Sequence, residues 1–229
     1  MGDAGNRTRV LLAWSSGKDA AWALHVLRRR GDVEVVGLLT TINTRHDRVS
    51  MHGVRRRLLE GQAEAAGLPL DVVPLPDPCP NVTYESAMIE ALARARERKI
   101  SAVAFGDLHL EDVRRYREKQ MRDTGLEPLF PLWGRPTTEL AEEMIAGGLK
   151  ARVACVDTAT LDASHVGADF DRRWLRGLPE GVDPCGENGE FHTFAWDGPM
   201  FGHPVPARAG EVVSRDGFVF VDLLPDGEQ

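Results

Sequence analysis

Val10-Leu-Leu-Ala-Trp14 running into Ser15-Ser16-Gly17-Lys18-Asp19-Ala20 is the stretch that decides the fold. The apolar run is too short for a membrane span and suits a buried strand. Small polar residues then turn the chain, and a helical pattern runs from Asp19 to Arg30, where Gly31 closes it. Strand, tight turn and helix in that order open a βαβ unit. The same turn is built to hold an anion. A helix N-terminus offers free N–H groups and a positive dipole end. Ser15 and Ser16 add hydroxyls, Lys18 adds a cation, and Gly17 can take a positive φ and let a phosphate approach the backbone. A Walker A loop would need Gly where Leu12 stands and Ser or Thr where Asp19 stands, so this is a different phosphate loop.

Working outward, strand-like and helix-like segments alternate. Glu34 to Ile42 and Leu70 to Leu75 read as buried strands, Ser101 to Phe105 as a fourth and Glu127 to Leu132 as a fifth. Helices are expected at Gly53 to Ala66 with Gly67 as the stop, at Thr83 to Lys99, and at Glu111 to Asp123. The alternation implies an open parallel sheet with helices on both faces. Ligands bind outside the carboxyl ends of strands in such a sheet, with the first and fourth strands as neighbours. Beyond Pro131 the character changes. A helix at Thr137 to Ala146 is followed by strands at Leu149 to Asp157 and Phe191 to Trp196, then by a hairpin around Arg215-Asp216-Gly217. This organisation suggests a first domain over 1–132 and a smaller α+β domain over 133–229, which the resemblance given below makes the nucleotide-binding and the substrate domain.

Three further segments supply candidate site residues. Gly106-Asp107 ends the fourth strand beside the first loop; the glycine permits close approach, and the carboxylate could hold Mg²⁺ or the loop itself. Arg114, Arg115 and Arg117 after it read as a solvated helix face. Pro184-Cys185-Gly186-Glu187-Asn188-Gly189-Glu190-Phe191-His192-Thr193 sets carboxylates on a glycine-rich loop before a strand. Cys185 reads as structural. His52, in Ser50-Met51-His52-Gly53, is a candidate contact to substrate or phosphate.

Composition narrows the classes. Among 229 residues, 35 acidic side chains face 28 basic ones, the wrong balance for a mainly electrostatic nucleic-acid binder. Cys79, Cys155 and Cys185 are far apart with no C-x-x-C pair, which disfavours disulfides and a closed zinc site. Without a signal or membrane pattern, the expected location is the cytoplasm.

The turn after the first strand resembles the PP-loop, S-G-G-x-D-S, with Ser16 in place of the first Gly and Ala20 in place of the final Ser. Taken with Gly106-Asp107-Leu108, Glu111-Asp112-Val113-Arg114-Arg115-Tyr116-Arg117-Glu118, Pro131 to Arg135, Glu142 to Ile145 and Pro184 to Phe194, it resembles the diphthine–ammonia ligase family. The C-terminal motif of that family is E-G-G-E-[FY]-E-T; here Asn188 and His192 depart from it. The resemblance implies a core of the adenine nucleotide alpha hydrolase type. It also implies an amide ligase that uses ATP and Mg²⁺, adenylates a carboxylate, releases pyrophosphate and then transfers ammonia. Ser15, Ser16, Gly17, Lys18, Asp19, Gly106 and Asp107 would hold the nucleotide, with adenine read near Leu39 at the end of the second strand. Glu187, Asn188, Gly189, Glu190 and His52 would serve the acceptor, which in the family is diphthine, a modified histidine on elongation factor 2. A homodimer is compatible with this reading. A PP-loop enzyme acting on tRNA and a non-catalytic adenine-nucleotide binder remain open beside it.

Overall fold

The computed structural model describes residues 7–49 and 53–227. Its first lobe holds β1 (Thr8–Ala13), α1 (Lys18–Arg28), β2 (Val33–Asn43), β3 (Arg48–Val49), α2 (Arg56–Ala66), β4 (Leu70–Leu75), α3 (Asn81–Glu97), β5 (Ala102–Ala104), α4 (Glu111–Met121) and β6 (Glu127–Leu129). The second holds α5 (Thr137–Ala146), β7 (Lys150–Asp157), a 3-10 turn (Ala163–His165), α6 (Arg172–Arg176), β8 (Phe191–Asp197), β9 (Ala207–Arg215) and β10 (Phe218–Pro225).

Strands β4, β2, β1, β5 and β6 lie side by side and parallel, with β3 folded back antiparallel on the end of β2. Alternation along β1 explains the burial of both faces. Val10 and Leu12 point into one apolar cluster with Leu24 and Leu27 of α1. Leu11 points into the other, with Ala91, Leu92 and Ala95 of α3. The chain winds outward from β1 through β2 to β4, and α3 then returns it to β5 on the far side of β1. The winding direction reverses between β1 and β5, so a crevice opens at their carboxyl ends. Val10, Leu11 and Leu12 pair with Ala102, Val103 and Ala104, the expected neighbour relation. The segment expected as one helix from Gly53 begins only at Arg56. Gly53 takes φ 67°, and Val54 is tied by its carbonyl to the Val49 N–H at 2.8 Å. Gly67 closes α2 in the left-handed conformation that a glycine stop supplies.

The second lobe is an antiparallel sheet in the order β8-β7-β10-β9. The two lobes share one apolar core, in which Trp14 and Leu58 join Leu140, Val153 and Phe194. A polar tie reinforces the joint. Asp222 on β10 accepts from Arg55 at 2.9 and 2.7 Å and from Arg48 at 2.8 Å. The Arg55 guanidinium, with Arg48 behind it, holds the Asp222 carboxyl down to about 2 from an ordinary 3.8. A depressed carboxylate contributes stability that is fully present above its unfolded value and is lost as pH falls through the folded one. Asp222→Asn should therefore lower unfolding free energy at neutral pH, by about 1 kcal/mol once solvent screening of this partly exposed cluster is allowed for. Urea titrations of both proteins should converge as pH falls from 3.8 towards 2; a gap constant with pH would show that the charge is not what stabilises.

Candidate active site

The turn after β1 is pinned from beneath. Gln62 of α2, fully buried, accepts from Trp14 Nε1 at 2.9 Å and donates to the Ser16 carbonyl at 2.9 Å and the Ala195 carbonyl at 2.6 Å. The Ala195 N–H of β8 donates to the same Ser16 carbonyl at 2.9 Å. These bonds hold Ser16 at φ 72°, a conformation that costs a non-glycine residue on the order of 1 kcal/mol. The sequence reading gave the positive φ to Gly17, and this is corrected: Gly17 is an extended N-cap at φ −82°, ψ 171°. Glycine is needed there for closeness, because a Cβ would lie 3.3 Å from the Thr193 carbonyl and 3.4 Å from Ser15 Oγ.

Helix α1 starts at once. The Lys18 N–H donates to Thr193 Oγ1 at 3.0 Å. The Asp19 and Ala20 N–H groups have no acceptor within the helix, as first-turn donors never do. Gly106, at the end of β5, abuts this turn; a Cβ there would lie 3.1 Å from the Ala20 nitrogen. The Lys18 ammonium does not reach into open space. It is buried, donates to Asp19 Oδ2 at 2.9 Å and to the Cys185 carbonyl, and sits 5.2 Å over Phe191 and 5.6 Å over Phe170. Burial alone lowers its pKa, but Asp19 and the other groups around it reverse this, and the net direction is upward.

Three carboxylates converge on the crevice. Burial pushes Asp19 up in spite of Lys18, and its Oδ1 is buried without a partner. Burial likewise pushes Asp107 up, only partly offset by Arg117, whose Nε lies 3.6 Å from Asp107 Oδ2. That is too long for a hydrogen bond, and both atoms are unsatisfied. Glu187 is raised by burial, with Asp19 and Asp107 adding, although the Leu108 and His109 N–H groups donate to it at 2.7 and 3.3 Å. The crevice is thus short of positive charge.

The cleft measures about 580 Å³. Ser15, Gly17, Lys18, Asp19, Leu39, Gly106, Asp107, Glu187 and Gly189 line it. Ser16 and Glu190 are buried and do not line it, and Asn188 is exposed outside it. Glu190 is buried and holds its own loop, taking the Asp183 N–H at 3.0 Å, the Asn188 side-chain amide at 2.9 Å and the Asn188 N–H at 3.0 Å. Leu39 lies within β2 rather than at its end, and its carbonyl accepts from the Trp14 N–H at 2.7 Å. His52 lies outside the described residues. Arg117, read as part of a solvated face, is half-buried, lines the cleft and stacks 4.9 Å from the Phe105 centroid. Thr193 closes the motif quoted above but was given no role, and Gln62 was missed altogether; nothing local marks Gln62. Cys185 is buried, its thiol pushed up to about 12 by burial and its Sγ 3.3 Å from the Thr137 carbonyl, an inert environment.

Comparison with known proteins agrees with this architecture. Residues 8–128 match the family model described as the diphthamide synthase N-terminal domain, and residues 136–217 match the diphthamide synthase C-terminal domain. A Bos taurus protein named diphthine–ammonia ligase is 31% identical over 178 residues, covering 70% of this chain and 66% of that protein. The Homo sapiens protein of the same name is 33% identical over 146 residues, covering 60% of this chain and 54% of its own length. The chain therefore spans between about half and two thirds of the length of these relatives. With both halves matched in order, the chain belongs to the diphthamide synthase family.

Proposed function

We propose that the chain is an ATP-dependent ligase of the diphthine–ammonia ligase type, forming AMP and pyrophosphate while joining ammonia to a carboxylate carried on a protein. The observation that supports this best is the crevice between β1 and β5. There the first turn of α1 and the Ser15 hydroxyl face a cleft in which three carboxylates meet two cations, Lys18 and Arg117, and in which Asp19 Oδ1 and Asp107 Oδ2 have no hydrogen-bond partner. Donors fixed before the reaction meet charge developing on a departing pyrophosphate without rearranging. The acceptor carboxylate would attack the α-phosphorus as the bond to pyrophosphate breaks. Ammonia would then attack the acyl carbon, AMP would leave, and the proton lost from nitrogen would pass to solvent or a nearby carboxylate. Glu187, which lines the cleft from the second lobe, would orient the amine.

A divalent cation fits this site. Mg²⁺ typically binds through one or two carboxylates together with substrate phosphates. Asp19 Oδ1 and Asp107 Oδ2 are the orphaned carboxylate oxygens among the described residues. They would hold the ion, which would offset the charge of the polyphosphate. Among the described residues no group of three or more His, Cys, Asp or Glu side chains is arranged to hold a metal ion without the help of substrate phosphates.

The test is pyrophosphate release with ATP, Mg²⁺ and ammonium, with and without diphthine-bearing elongation factor. Acceptor-dependent release is expected. Nucleotide binding without release under any of these conditions would leave a binding protein and not a ligase. Glu187→Gln should keep nucleotide affinity and lose most acceptor-dependent turnover. Glu190→Gln should act through its loop, because Gln can no longer accept from three N–H groups. A loss of about 1–3 kcal/mol in unfolding free energy is expected for that variant. Equal effects of the two changes on stability and turnover would refute this division of roles.

A further inference from the structure

Among the described residues only β10 pairs with β9, which leaves its outer edge open, and Val212 and Val213 are 56% and 42% exposed, among the most exposed large apolar side chains described. A nine-residue edge strand with adjacent exposed valines invites another strand. We propose that a second copy of this chain pairs there, β9 against β9, antiparallel and centred on Val213.

Charge and apolar pattern together select that register. Centred on Val213, the two-fold sets Val213 against Val213, Val212 against Ser214 and Glu211 against Arg215. Because the interface is isologous, the ion pair forms twice. Glu211 and Arg215 are both exposed and therefore available. Centring on Val212 instead would set Glu211 against Val213 and leave both charges without a partner across the seam. Within one chain, Val213 pairs with Phe220 and Val212 with Val221. The dimer would extend the first of these into a row, Phe220–Val213–Val213–Phe220, across four strands. Cross-strand apolar and opposite-charge pairs are what stabilise sheets. The two four-stranded sheets would become one of eight. A single strand pairing lies at the small end of stable interfaces, so the dimer should dissociate on dilution.

Sedimentation velocity on the full chain over a concentration series tests this. A dimer is expected at high micromolar concentration, and Val213→Lys should be monomeric throughout. Glu211→Arg and Arg215→Glu should each weaken association by roughly tenfold, since each creates two like-charge pairs. The double exchange Glu211→Arg/Arg215→Glu should restore it. Register is tested by oxidation. Facing Cα atoms in antiparallel pairs lie about 4.5–5.5 Å apart, within disulfide range. Val213→Cys should therefore cross-link to itself, and Val212→Cys, displaced from its symmetry mate, should not. All four positions are on the exposed strand, so folding should be retained, as thermal unfolding can verify. A wild-type monomer at high concentration, a dimer that survives Val213→Lys, or a double exchange that fails to recover association would each overturn the proposal. None of these outcomes bears on the ligase reading, whose cleft is lined from β1, β5 and β8, and β8 is the other edge strand of the sheet that ends in β9.

Discussion

Gly17→Val is expected to weaken ATP binding by on the order of a hundredfold, comparable with removing an oriented donor from a charge-stabilising site, while the protein stays folded. The cause is contact and not backbone strain. At φ −82°, ψ 171° valine is an allowed residue. Its Cβ, however, would start 3.3 Å from the Thr193 carbonyl, and its two methyl groups must go further, towards Thr193 or into the cleft. Moving Gly17 away from β8 stretches the Lys18 N–H bond to Thr193 Oγ1, now 3.0 Å, and turns the first helical N–H groups off the phosphate position. Two companions separate this account from a general dislike of substitution. Gly17→Ala needs a shift of only a few tenths of an ångström and should lose far less affinity. Ser16→Gly, at φ 72°, removes a strained residue and should bind ATP as wild type does. Calorimetric titration of the three variants decides. Normal affinity in Gly17→Val would mean that the nucleotide does not use this loop, and equal losses in all three would mean that crowding against Thr193 is not the cause.

The fold was legible because its signals are local. Val10 to Leu12 and Leu70 to Leu75 are apolar at strand length, Gly67 ends a helix by the conformation that only glycine takes cheaply, and the limits of α5 coincide with the pattern at Thr137 to Ala146. The winding reversal then places Ser15 to Asp19 beside Gly106 and Asp107. What the sequence hid depends on partners far along the chain. Ser16 takes the left-handed conformation because Gln62 and Ala195 hold its carbonyl. Glu187 and Glu190 share one glycine-rich motif, yet one turns to the Leu108 N–H and the other into its own loop; no spacing rule separates them. Arg117 looks like any charged helix residue until α4 docks and sets it between Phe105 and Asp107. Lys18 is the sharpest case: a lysine in a phosphate loop invites a phosphate-binding role, and only the fold shows its ammonium engaged by Asp19 and the Cys185 carbonyl.

Lys18→Met should destabilise the protein by about 3–5 kcal/mol, the usual cost of stripping one partner from a buried ion pair. For a chain of this size that is a drop in melting temperature on the order of 10 °C. The ammonium is 2% exposed, and methionine can fill its channel between Phe170 and Phe191. Methionine cannot bond the Cys185 carbonyl, and it leaves Asp19 with a charge that burial already disfavours. The larger penalty therefore comes from the group left behind. Asp19→Asn should in turn leave a buried ammonium without its countercharge and cost a similar amount. The double variant Lys18→Met/Asp19→Asn removes both charges, so its loss should fall short of the sum of the single losses by about 1–3 kcal/mol, as coupled neighbours do. Arginine should not rescue position 18, because its planar fork is too wide for a channel shaped to a single ammonium. Nucleotide affinity separates the roles further. If the ammonium ties the turn to the Cys185 loop, Lys18→Met should lose more stability than ATP affinity, and Asp19→Asn should lose the Mg²⁺-dependent part of binding. A Lys18→Met protein of unchanged stability that no longer binds ATP would reverse the assignment: the ammonium would then leave its partners for the phosphates when nucleotide enters.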